Sequence, residues 1–103
     1  MAATTTVERR IERSLHALLG ELMALPETAE QWASWSDLDR VDFSLEWDHL
    51  MADYLTELDE FARAGQLAAE QWTRYQQVRR MLREWLPAIE RLGLYPPPVP
   101  LDA

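Results

Sequence analysis

Glu46 and His49 stand three residues apart, and Asp53 follows four residues after His49. On a helix, that spacing stacks a carboxylate, an imidazole and a second carboxylate along one face. Carboxylate-bridged two-metal sites in helical bundles draw two ligands from one helix in this way. Glu46, His49 and Asp53 are therefore the candidate metal ligands, and Glu12 with His16 forms an upstream i, i+4 pair. A complete site needs two Glu-x-x-His pairs and this chain holds one, so a metal-binding bundle would have to form across a homodimer. The simpler expectation is a boundary histidine made more basic by its carboxylate neighbours, with no cofactor bound.

Other chemistries find less support. The chain has no Cys, which removes disulfides, thiolate metal sites and thiol nucleophiles together. Ser14, Ser34, Ser36 and Ser44 lack the setting of a nucleophile elbow, and three isolated glycines make no phosphate loop. The carboxylates line a helix face, not a cleft. The expectation is a protein that is not an enzyme.

The element that would position these residues runs from 36 to 65. Phe43, Trp47, Leu50, Tyr54, Leu58 and Phe61 recur at spacings of three and four, which predicts one buried helical face. Asp39, Asp42, Glu46, Asp53, Glu57 and Glu60 form an acidic stripe beside it. Val41, Phe43, Leu45 and Trp47 also alternate with polar residues, the pattern of a half-buried strand. No second strand is available to pair with it, and the helical period continues to Phe61, so helix is the better reading. Ser36 or Asp37 suits its N-cap, and Gly65 suits a left-handed C-terminal residue.

Upstream, residues 1–4 are expected to fray, and Thr5 with Glu8 fits a capping box. Val7, Ile11, Leu15, Leu18, Leu22 and Leu25 then predict a helix over 6–25, ended by Pro26. Residues 26–36 form a short helical connector whose Trp32 and Trp35 should lid the core. Downstream, Tyr75, Val78, Leu82, Trp85, Ile89 and Leu92 predict a helix over 68–92, kinked or re-started at Pro87. Short connections make neighbouring helices antiparallel. The predicted fold is all-α: an antiparallel three-helix bundle with a long hairpin, 38–64 and 68–92, joined to the N-terminal helix. Residues 1–93 make one helical domain, and 94–103 an extended Pro-rich tail whose Pro97-x-x-Pro100 could suit an aromatic groove.

Charge narrows the partners. The 103 residues carry 18 Asp and Glu against 10 Arg and no Lys, a net charge of −8. Residues 27–62 hold eleven acids and one Arg, whereas 63–91 hold six Arg and three acids, so Arg74, Arg79, Arg80 and Arg83 are expected to face part of the acidic helix. The excess opposes binding to nucleic acid or an anionic membrane and favours a basic protein partner. The N-terminus lacks a signal-peptide pattern and no run of about 18 apolar residues exists, so a cytoplasmic and, from the Arg-only usage, bacterial origin is expected.

The resulting expectation is a small acidic interaction module, an inhibitor of the antitoxin or immunity type or an adaptor, able to form a homodimer. Its expected binding residues are Asp42, Glu46, Trp47, His49, Asp53, Tyr54 and Glu57. The alternatives are the metal-binding bundle and an architectural subunit of a larger complex.

Overall fold

The computed structural model describes residues 5–101, and all of its regular structure is helical. The expected fraying of residues 1–4 lies outside the described residues, as do Asp102 and Ala103.

Helix α1 spans Thr6–Gln31, and the Thr5 hydroxyl caps it by accepting from the Glu8 amide at 3.0 Å. Its leucine column is fully used: Ile11, Leu15, Leu18, Leu22 and Leu25 are all buried. The helix does not stop at Pro26, as the sequence predicted, but continues for five more residues. Pro26 removes the amide that would bond the Leu22 carbonyl. It lies on the exposed face, where that carbonyl can turn toward water. Beyond it, Thr28 is buried and its hydroxyl donates to the Ala24 carbonyl at 3.2 Å. Tertiary burial past Pro26 outweighs one lost bond.

A 3₁₀ turn at Trp32–Ser34 leads into α2, Asp37–His49. Ser36 caps α2 by accepting from the Asp39 amide at 3.1 Å. Trp32, Trp35, Phe43 and Trp47 meet in one aromatic cluster, with neighbouring ring centroids 5.6–6.3 Å apart. This cluster closes one end of the core, as Trp32 and Trp35 were expected to do. Arg40 is the one cation of the acidic stretch. It donates to the carbonyls of Trp32 and Ala33, tying the turn onto α2.

The helix then changes pitch. Leu50–Leu55 is π-helical, and Thr56–Arg63 resumes as α3. A π turn inserts residues relative to the α repeat, so the buried stripe slips. Met51, Leu55 and Leu58 enter the core beside Trp47, while Tyr54 and Phe61 are displaced to its edge. The predicted helix over 38–64 is thus continuous in path but not in phase.

Gly65 at φ 71° ends α3, and Gly93 at φ 72° follows α4, Ala69–Arg91. In both caps the residue after the glycine donates back five residues along the chain, Gln66 to Phe61 and Leu94 to Ile89, each at 3.0 Å. Helix α4 passes Pro87 as a single helix, without the predicted re-start. Close backbone approaches join α1 to α4, to α3 and to the π-helical turn. The three-helix bundle is therefore centred on α1. Its arginines also pair differently from expectation. Arg74 donates to both oxygens of Glu12, and Arg10 of α1, not an α4 arginine, holds Glu57.

The Pro-rich tail is extended and packs back over its own domain as a strap. Leu94 and Val99 are buried, Trp47 donates its indole N–H to the Tyr95 carbonyl at 2.8 Å, and Arg83 donates to the Leu101 carbonyl at 2.6 Å.

Two substitutions test this account of α1. Restoring an amide with Pro26→Ala should stabilise the chain by about 1–3 kcal/mol, read as a higher urea midpoint. A lower midpoint would show that the helix needs its proline. The Ser14 hydroxyl is buried and has no hydrogen-bond partner among the described residues. Ser14→Ala should therefore stabilise by about 1 kcal/mol in the same measurement.

Candidate functional site

Two open hollows run along one side of α2 and share Glu46. The larger, about 490 Å³, is lined by Ala17 and Glu21 of α1 and by Leu45, Glu46, His49 and Leu50. The smaller, about 340 Å³, is lined by Trp35, Asp39, Asp42, Phe43 and Glu46. Together they form a groove with an apolar floor and an acidic rim. Across it, burial first and the nearby Glu46 second push the Glu21 carboxyl above its ordinary value. No ion pair among the described residues reaches Asp39, Asp42 or Glu46.

Beside the groove stand three large aliphatic side chains open to solvent. Leu38 is 70% exposed, Val41 54% and Leu45 61%. Their spacing of three and four puts them on one face. Leu45 lies two residues from both Phe43 and Trp47, about 200° round the helix, so this face is turned away from the core. Helical spacing sets exposed Asp42 and His49 on one flank of the stripe and exposed Asp37 and Asp48 on the other.

No protein-family model, curated protein or solved structure matches this chain. What the site can do rests on its geometry.

The residues expected to bind a partner are not all brought together. Asp42 and Glu46 line the groove, and His49 reaches its far end. Trp47 is corrected: it is 1% exposed, with its N–H bonded internally, and offers no surface. Glu57 is held by Arg10, which shields part of its charge. Tyr54 is half-buried between the His49 ring, at 5.1 Å, and the Arg13 guanidinium, at 5.9 Å. Asp53 lies outside both hollows, its Oδ2 2.5 Å from His49 Nδ1.

The metal arrangement is corrected too. Among the described residues, no group of three or more His, Asp and Glu could hold an ion. His49 pairs with Asp53 at the start of the π-helical turn and lines the larger hollow with Glu46, but the three do not converge on one point. Glu12 is committed elsewhere. Hydrogen bonds from Arg74 and then Gln71 hold its carboxyl below the ordinary value. Among the described residues, no helix is long and apolar enough to cross a membrane.

Sequence reasoning missed Leu38, Val41, Leu45 and Glu21. The first three had left a signal. Alternation of Val41, Phe43, Leu45 and Trp47 on a chain that must be helical means two apolar faces, and one core can bury only one of them.

The groove's electrostatics predict a pH-dependent variant. A carboxyl whose folded value is raised costs stability once ionised, and that cost disappears as pH falls below its unfolded value. Glu21→Gln should raise the unfolding midpoint at pH 7 and lose this advantage below the unperturbed carboxylate value of 4.5. Parallel urea titrations at the two pH values check the sign; an advantage that grows in acid would refute it.

Proposed function

We propose that this chain is a non-catalytic helical interaction module that docks a basic partner protein against the outer side of α2. The observation that carries this reading is the exposed Leu38–Val41–Leu45 stripe with acids along both flanks. Burying an exposed aliphatic side chain of this size is worth about 1.5–3 kcal/mol, so a partner covering all three has a strong apolar contribution available. Unpaired Asp39, Asp42 and Glu46 then favour a cationic rim on that partner, speeding encounter and excluding acidic surfaces.

The concrete forms are an inhibitor that covers a cationic surface, of the antitoxin or immunity type, and an adaptor. Both use the same face. Symmetric self-association through this face is the weaker reading, because the second copy would bring its own acids against these. No observation favours chemistry at the groove, whose His49 is already paired with Asp53.

The test places a photo-reactive amino acid at Leu45 in one tagged sample and at Arg80, on α4, in another. After irradiation in native host cells, captured segments are identified by mass spectrometry. A segment rich in Lys and Arg should be enriched at position 45 over position 80. The triple reversal Asp39→Arg, Asp42→Arg, Glu46→Arg should weaken its capture by about tenfold or more. Equal capture at both positions, or capture untouched by the reversals, rejects the proposal.

A further inference from the structure

We infer that the occupant of the groove is a basic amphipathic helix of the partner, which lies along α1 and α2 as a fourth helix of the bundle. This inference rests on the docking reading above and specifies what docks.

Both walls of the groove are helices whose backbone groups already bond within their own turns. They present no strand edge. An extended peptide laid there would leave its own amides and carbonyls facing apolar side chains without partners. A helix satisfies those groups internally and offers only side chains to the groove. Of the exposed aliphatic stripe, Leu45 lines the groove itself, while Leu38 and Val41 stand beyond its rim. From Asp39 to Leu50 the α2 side of the groove is about 17 Å long, about three helical turns.

The α1 wall points the same way. Ala17 lines the groove, and Gly20 and Ala24 follow it on the same face at spacings of three and four. Glycine is among the poorest residues for a helix interior. Nothing in this chain requires one at position 20, because an added Cβ would meet no atom within 4 Å. A wall of small side chains lets an incoming helix approach closely. Charge selects its sequence: Glu21 and Glu46 on the two walls, with Asp39 and Asp42 beyond, call for Lys or Arg on both flanks of the incoming seam. A second copy of this chain docking through the same face would present acids there instead.

Three synthetic peptides of about 18 residues test the inference against the isotope-labelled full chain by NMR titration. The first carries a Leu/Ala seam at helical spacing flanked by Lys. The second replaces every Lys with Glu. The third keeps Lys but has two prolines at its centre. The first peptide should shift the amides of Ala17, Gly20, Leu45 and His49, leave the exposed face of α4 unmoved, and gain helicity on binding. The Glu and Pro peptides should each bind about tenfold more weakly or worse. In the chain, Gly20→Leu and Leu45→Arg should each cost a similar factor, with urea midpoints no lower than that of the parent.

Equal binding of the proline peptide at the same amides would overturn the helix while leaving the basic-partner reading standing. Failure of both Lys peptides to bind, or shifts confined to another surface, would overturn both. A dimer in light scattering that buries Leu45 and excludes the first peptide would assign the face to self-association and overturn the inference as well.

Discussion

The leucine column of α1 holds α4, α3 and the π-helical turn, and α2 is carried by that turn. Ile11, Leu15, Leu18, Leu22 and Leu25 lie against α4 on one side and against α3 and the π-helical turn on the other. A single helix serving two partners must be apolar over a wide arc, and that limits where charge can sit. The two interhelical pairs that cross α1, Arg10 with Glu57 and Arg74 with Glu12, mark the borders of that arc. As half-exposed pairs they contribute little energy, about 0–1 kcal/mol each. Their value is in fixing which face of α1 each neighbour takes.

Much of this was legible in the sequence because it depends on local physics. The spacing of the apolar residues gave three helices, Thr5 and Ser36 gave the two N-caps, and Gly65 and Gly93 gave the two left-handed ends. Less legible were events decided by burial elsewhere. Nothing adjacent to Pro26 announces that the helix will continue, since the compensation comes from Thr28, Trp32 and Trp35 reaching the core. The pitch change at Leu50–Leu55 is similar. Adjacent apolar pairs, Leu50–Met51 and Tyr54–Leu55, permit either phase, and packing against α1 selects Met51 and Leu55.

That slip reshapes the candidate site. With uniform α spacing, Glu46, His49 and Asp53 would share a face and Tyr54 would be core. With the π-helical turn, Tyr54 moves to the core's edge, His49 still pairs with Asp53, and Glu46 lines the groove outside that pair. The acids of this helix thereby divide into two sets. Glu57 and Asp59 are engaged by Arg10 and Arg63, whereas Asp39, Asp42 and Glu46 have no cation among the described residues. The unpaired set lies on the segment that also carries the exposed aliphatic stripe.

The groove is bordered by the aromatic cluster. Trp32, Trp35, Phe43 and Trp47 pack together where the 3₁₀ turn meets α2, and Trp35 and Phe43 also line the smaller hollow. Ala17 of α1 lines the larger one. The cluster in turn needs α1 to pass Pro26, because a helix ending at Leu25 would not carry Trp32 to its place beside Phe43. A proline that looked like a stop signal thus sits between the leucine column of α1 and the aromatic cluster that borders the groove.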